Sequence, residues 1–595
     1  MEEPRAGAGD AGARRLAVRT RLAAHAPALA AAVAGVAWLA WHADLAIAVP
    51  RNVGWLMRGD WGAGYVAWLF YRSAPPALPL GSNPLYPYPI GSTLGFSDAL
   101  PLVAVLLRPL ASVLPQDFQY AGAWIVLAFA LQGFVGAKLV KLATPDRLAQ
   151  ALGGVLFVLA PPLLHRLIGP KTGHASLCAQ WILLLALWLA LAPVDAPRLP
   201  RRLALAGLLV FLSAGVHPYF VVMTAALAAA LILRIVLVER RGGPALLGGG
   251  LTGLAAAASA GLLLFGFVGG GVRSRANGFG YFSADLATLV NPMGWSRLWS
   301  GLPVRAGQYE GFAYLGAGAL LLLVLGLGAI ALRRAPAPRL ARVVPAVAVA
   351  LVLAGFALSD AVRFAGDLVL RVGIYRHMPW LGGTFRSSGR FVWPLHYLLL
   401  LGGVSLAARV LHGRALALRG ALALAVVAQA FDVRPPVPLE PPAAPYVPAA
   451  EWALARGSYR HLSMFPPYLV AGGDPIAPEP QLCGPHLHRP DGYLPLALVA
   501  YRIGATFDGA YTARLDPARA IEACQAARRA IDDHALDPAT IYVVHPSAVA
   551  LLVAAGADCG WIGADRVCVA RGRPDAFSEA VRARPLRADD TPGGR

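Results

Sequence analysis

The chain has 595 residues, 57% hydrophobic and 14% charged, where a soluble domain carries roughly a quarter charged; this excludes a wholly water-soluble protein. The net charge is +20, but the basic residues lack interleaved stacking aromatics, which excludes a nucleic-acid partner. They cluster instead between apolar runs, as in Arg198, Arg201, Arg202 and Arg333, Arg334, Arg339, Arg342, which reads as the cytoplasmic loops of a multi-pass membrane protein.

The first apolar run, about 26–49, is too long for the core of a cleavable signal and reads as a retained first span. The basic clusters alternate consistently over about eleven spans, near 26–49, 118–140, 148–164, 175–194, 203–217, 219–238, 245–270, 312–332, 343–358, 391–408 and 416–431. The N-terminus is then cytoplasmic, and loops at about 50–117, 165–174, 271–311 and 359–390 lie on the outer face. Ser97–Leu114 is apolar but short, carries Arg108 and two prolines, and would invert every later loop if it crossed; it is expected to be re-entrant or interfacial. Residues 432–445 form a stiff proline-rich linker. Beyond it, 446–595 reads as a soluble domain outside the membrane, with strands at IYVVHP and DRVCVA, an amphipathic helix at DPARAIEACQAARRAI and a loosely ordered tail after Arg571. The expected fold is thus mostly α: a polytopic transmembrane helical bundle over 1–431, carrying a small α/β or α+β domain.

Cys178 falls in a span, and Cys483, Cys524, Cys559 and Cys568 fall in the outer domain. Those four allow two disulfides in three pairings, Cys559 with Cys568 across a hairpin being the easiest, or four buried thiols. Neither C-x-x-C nor paired histidine spacing is present, which argues against a zinc site.

Candidate chemistry concentrates in the outer loops. RGDWGAGYVAWLFYR, residues 58–72, sets one carboxylate, Asp60, among Trp61, Tyr65, Trp68, Phe70 and Tyr71. An acid in such a setting is costly unless paired or used, and its plainer role is to cap a helix. Asp98, in SDALP, either caps the following helix or faces the same cavity as Asp60, where the two would hold a divalent cation such as Mg or Mn, or position an acceptor. Glu310, in QYEGFAYLG, is either a hydrogen-bonding acid or part of an interfacial belt. Arg386 and Arg390, in FRSSGRF, run against the charge rule for that face; spaced i and i+4, they suit a phosphate or pyrophosphate, or pair with acids such as Asp98 or Glu310. His165, Arg166, Lys171 and His174 read as a tight turn with solvated charge or, alternatively, as groups that help hold an anionic lipid head, and His217 reads as a helix cap. No G-x-S-x-G elbow, H-E-x-x-H, P-loop, kinase signature or Rossmann G-x-G-x-x-G is present.

Six stretches, RGDWGAGYVAWLFYR, GFSDALPLVAVLLRPL, FQYAGAW with the following LQG, QYEGFAYLG, FRSSGRFVWPLHY and AQAFDVRP, resemble an uncharacterised bacterial family of GT-C-like membrane proteins, and through topology and the first-loop acid the GT-C glycosyltransferases. Those enzymes often carry a paired acid; here Asp60 is followed by Trp61. The resemblance implies a glycosyltransferase of the bacterial inner membrane that moves a sugar, with inversion, from a polyprenyl-phosphate or -diphosphate donor to a cell-envelope glycan or lipid acceptor. Asp60 would be the catalytic base, Trp61 and Tyr65 would stack on sugar, and Arg386 and Arg390 would take the donor phosphate. A transporter or flippase for an envelope lipid or polysaccharide, and a non-catalytic assembly scaffold, are the alternatives.

Overall fold

The structure, a computed structural model, describes residues 8–168, 173–269, 278–332, 341–435, 447–471 and 492–586. Cys483, Lys171 and most of the proline-rich linker lie outside the described residues.

The chain is mostly helical. Six of its helices are long and apolar enough to cross a membrane: Ala23–His42 (the inner part of Ala8–His42), Ala121–Val140, Pro218–Val238, Gly243–Leu264, Ser388–Val410 and Ala415–Asp432. A seventh crossing is available if Arg147–Val158 and Pro161–Leu167, bent by 45° at Pro161, act together. The count falls short of eleven because other expected spans are short helices. Trp181–Leu191, Ala317–Ala331 and Val344–Ala357 have 11, 15 and 14 residues, and at ~1.5 Å per residue none reaches the ~30 Å of a hydrocarbon core. Ser97–Leu114 holds only the helix Pro101–Leu107 and a following turn, far too short to cross. There Arg108 donates to the Ala74 carbonyl at 2.7 Å and lies over the Tyr71 ring.

An apolar interior gives helices little reason to prefer one register, and buried polar side chains supply it. Gln132 donates to the Phe157 carbonyl and to the Tyr397 hydroxyl, which donates to Gln180 at 2.5 Å, tying four helical segments together. Asp432 is fully buried and accepts from the Tyr314 hydroxyl and the Ala317 amide, fixing the start of Ala317–Ala331 against the end of Ala415–Asp432.

The C-terminal domain holds a five-stranded mixed sheet in the order Ala557–Ile562, Asp565–Ala570, Thr540–Val544, His461–Phe465, Thr506–Phe507. The first three strands are antiparallel to one another, and His461–Phe465 is parallel to both of its partners. Pro517–Asp532 is the expected amphipathic helix, capped by Asp516. Cys559 sits opposite Cys568 in register, and the two share a disulfide; Cys524 is also disulfide-bonded, and Cys178 is a buried free thiol. Residues 572–586 are not loose: Asp575 and Ser578 form a capping box for the helix Ala576–Ala583, which buries Phe577 and Val581; the rest of the tail lies outside the described residues.

This domain seats directly on the segment between the first two long helices. Leu494, fully buried, packs on Gly62, and Tyr501 packs on Phe70, both residues of the helix Gly59–Ser73. Arg502 forms an ion pair with Asp117 at 3.0 Å, the Tyr88 amide donates to the Phe507 carbonyl, and the Ala513 amide donates to the Phe96 carbonyl.

Candidate functional site: an acid–imidazole–acid cluster beside a buried ion-pair network

The helix Gly59–Ser73 presents Asp60 in its first turn, where the helix dipole favours a negative charge. Its N-cap, Arg58, makes no side-chain capping bond, and the Asp60 carboxylate is turned to His174 instead. His174 stands between two acids: Nε2 lies 3.1 Å from Asp60 Oδ2, and Nδ1 lies 3.1 Å from Asp98 Oδ2. The second Asp98 oxygen accepts from the buried Ser176 hydroxyl. Asp98 is therefore held by side chains and caps nothing; the N-cap of Pro101–Leu107 is Leu100.

Backbone shape makes this meeting possible. Asp98 and Leu100 both sit at positive φ, 54° and 50°, a region costly for residues with a side chain and typical of functional sites. Gly64 lies one turn after Asp60, and a Cβ there would stand 2.8 Å from the Asp98 carbonyl oxygen. Only glycine lets the helix and the turn approach this closely.

The electrostatics follow from the enclosure. Burial pushes the Asp60 carboxyl above its ordinary pKa; His174 pulls against this and Asp98 adds to it. Burial acts against a charge on His174, yet Asp60 and Asp98 together raise its pKa. A cluster of two acids sharing one imidazole can hold or pass on a proton near neutrality. The cluster opens on a narrow cleft lined by Asp60, Trp61, Tyr65, Trp68, Gln119 and Tyr120, and the buried Tyr65 hydroxyl makes no hydrogen bond there. The two carboxylates face the imidazole from its two nitrogens. Among the described residues no group of three or more His, Cys, Asp or Glu is arranged to hold a metal ion.

Glu310 is a network residue and not a belt anchor. Arg390 grips it through two parallel bonds, Nε to Oε2 and Nη2 to Oε1, both 2.8 Å, and Arg166 donates to Oε2 at 2.6 Å. All three side chains are buried. Burial alone would raise the Glu310 carboxyl; the two guanidiniums bring it well below the usual range. The approach again rests on a glycine: a Cβ on Gly389 would stand 2.6 Å from the Gly311 Cα, so Arg390 and Glu310 are delivered by two backbones in contact. Arg386 and Arg390 do not share a helical face, because only Ser388–Val392 is helical, as a short 3-10 turn. Arg390 is committed to Glu310, whereas Arg386 lies over the Phe282 ring, close enough to Asp60 to lower its pKa. His217 accepts from the Tyr219 amide, as a cap, and its far nitrogen stands 3.5 Å from Arg390.

Sequence reasoning singled out Asp60, Asp98, Glu310 and Arg390 but left His174 and Arg166 as solvated turn charges. These two are the connecting groups, and the signal available was that HRLIGPKTGH gathers four basic or imidazole groups within ten residues between two apolar runs.

The fold and the site define a mostly helical protein with several helices able to cross a membrane, whose carboxylate–imidazole cluster lies beneath a docked C-terminal domain. The chain belongs to the family described as a domain of unknown function, DUF6311, which matches residues 32–434; residues 451–570 match the DUF6311 C-terminal domain. No curated protein and no solved structure matches it.

Proposed function

We propose that this protein is a GT-C-type membrane glycosyltransferase that transfers a sugar from a polyprenyl-phosphate or -diphosphate donor to an envelope glycan or lipid acceptor. The observation that carries the reading is Asp60: an acid with a raised pKa, oriented by His174, in the first turn of the helix that follows the first long apolar helix. A general base needs a pKa drawn toward the working pH and a fixed orientation, and both favour this carboxylate over a solvated one. Asp60 would take the proton of the acceptor hydroxyl as that oxygen bonds to the anomeric carbon. The bond from that carbon to the phosphate oxygen would break, and the lipid phosphate would leave with the electron pair. Arg386, near Asp60, would contact the phosphate; Arg390, engaged by Glu310, would hold the wall of the site.

In this reading the bundle lies in a bacterial inner membrane and crosses it through its long apolar helices, with the N-terminus in the cytoplasm and the C-terminal domain outside. The basic clusters between apolar runs support that sense. Reporter fusions after Ala450 test it, and a cytoplasmic signal there overturns it. The activity is tested by expressing Asp60→Asn in a deletion strain and analysing its lipid-linked sugars. The substitution is nearly isosteric, so the protein should reach wild-type level while its sugar-charged lipid accumulates as in the deletion. Full complementation overturns the assignment.

A further inference from the structure

Residues 361–371 form a hairpin that is firmly built and yet apolar on its outside. Ala361–Phe364 pairs antiparallel with Asp367–Arg371 across Ala365 and Gly366, both at positive φ, as a two-residue turn between twisted strands requires. The turn is anchored from below. Asp285, fully buried, accepts from the Ala365 and Gly366 amides at 3.1 Å each, and the Leu286 amide donates to the Arg363 carbonyl. All of Asp367–Arg371 is exposed, including the consecutive Leu368, Val369 and Leu370, of which Val369 is 61% and Leu370 57% exposed. Successive strand residues point to opposite faces, so both faces of this strand are apolar. Ile374 and Trp380, just beyond it, are more than half exposed as well. A rigid element with this much uncovered aliphatic surface is made for a neighbour.

Two features identify that neighbour. The first is continuity: the hairpin is entered from the apolar helix Val344–Ala357 and left toward the span Ser388–Val410, which ties it to the end of the bundle where a bilayer would begin. The second is charge. A cleft beside the hairpin is lined by Arg371, Arg376, Tyr375 and Asp360, and among the described residues neither guanidinium takes part in an ion pair or a side-chain hydrogen bond. The two guanidiniums outnumber the one carboxylate and leave the cleft positive. We propose that the hairpin is a lipid-binding element: Leu368–Leu370, Ile374 and Trp380 enter the bilayer boundary, and Arg371 and Arg376 receive the phosphate of an anionic phospholipid of the surrounding membrane. Tryptophan favours that depth, and arginine reaches from apolar surroundings to the headgroups. Neither the hairpin nor its cleft takes part in the chemistry assigned to Asp60.

The test uses the full chain in lipid nanodiscs, with bimane on Val369→Cys; Cys178 is buried and the disulfide cysteines do not compete for the label. Bimane on Asp533→Cys, exposed on the C-terminal domain, is the control. Shallow spin-labelled lipid should quench the Val369→Cys label strongly and the control weakly. At equal mole fraction, spin-labelled phosphatidylglycerol should out-quench spin-labelled phosphatidylcholine, with up to about fivefold preference per arginine at low salt. Arg371→Ala with Arg376→Ala should erase that preference while leaving the protein folded. Three results overturn the proposal: quenching no greater than the control, which would leave the hairpin to a protein partner; equal quenching by the two lipids; or a preference unchanged in the double variant.

Discussion

His174 and Asp60 are joined at 3.1 Å, and the other nitrogen of the same imidazole is 3.1 Å from Asp98, so one ring spans two acids that are 38 positions apart in the chain. The acids raise the pKa of His174 above its ordinary 6.5, and the sign of the consequence is fixed. A histidine more basic in the folded than in the unfolded protein contributes stability that is complete below about pH 6.5 and is lost as pH rises through the raised value. The melting temperature of the detergent-solubilised protein should therefore fall between about pH 6.5 and the raised value. His174→Gln should melt lower at pH 6 and show a flatter slope across that window. Parallel slopes for the two proteins would mean that His174 is not charged in the cluster.

The Glu310 network makes a different demand. One carboxylate serves two buried guanidiniums, Arg166 and Arg390, so Glu310→Gln leaves two charges without a counter-ion in the interior. Removing one member of a buried ion pair costs about 3–5 kcal/mol, and here the loss should appear as reduced folded protein in size-exclusion profiles of the solubilised membrane fraction. Arg390→Lys keeps the charge but gives up the two-pronged grip, so it should be destabilised as well as less active. Arg390→Met combined with Glu310→Gln should recover part of the loss, because it removes one of the two guanidiniums left without a counter-ion and keeps a side chain of similar length. If Glu310→Gln is as stable as wild type, the network is not a structural tie.

How far the sequence carried this site depends on distance along the chain. Asp60, Asp98, Glu310 and Arg390 stand out locally, as single charges among aromatic and apolar residues, and each lies in a cluster. What joins them is not local: His174 is 76 positions from Asp98, and Arg166 is 144 from Glu310. No periodicity records such contacts, which arise when the bent pair Arg147–Val158 and Pro161–Leu167 delivers its loop to the helix Gly59–Ser73. The i, i+4 spacing of Arg386 and Arg390 misled for a local reason. It implies a shared face only in an α-helix, and Gly389 is placed instead for contact with Gly311. The span count was overstated because hydropathy registers apolar runs whether they form a 20-residue crossing or an 11-residue packed helix.

Thiol chemistry checks the C-terminal domain. Cys559 and Cys568 are disulfide-bonded to one another, Cys524 is also in a disulfide, and Cys178 is the free thiol among the described residues. Alkylation of denatured, unreduced protein followed by peptide mapping should modify Cys178 and spare Cys524, Cys559 and Cys568. Cys559→Ser with Cys568→Ser should lower the stability of the domain by about 2–3 kcal/mol, as expected for a short closed loop. Full alkylation of all three without reductant would mean that the domain matures in a reducing compartment, against an outer-face location.

The most discriminating substitution changes no polar group. Gly64→Ala adds one methyl that would lie 2.8 Å from the Asp98 carbonyl oxygen and 3.2 Å from the Ser97 carbonyl oxygen, both backbone atoms unable to swing aside. In an exposed helix interior the same change is favourable by about 1 kcal/mol, because alanine has the higher helix propensity. Gly207, in the helix Leu199–Ala214, faces open space and provides that baseline: Gly207→Ala should be neutral or mildly stabilising. At Gly64 the helix and the turn must separate, and the 3.1 Å contacts of His174 with Asp60 and Asp98 cannot both survive. Gly64→Ala should thus lose the pH-dependent part of its stability, its melting curve approaching that of His174→Gln, and should fail to complement the deletion although all three ionisable groups remain. Wild-type pH dependence together with full complementation would show that the two acids need no shared imidazole, and the case for a coupled proton-handling cluster would end there.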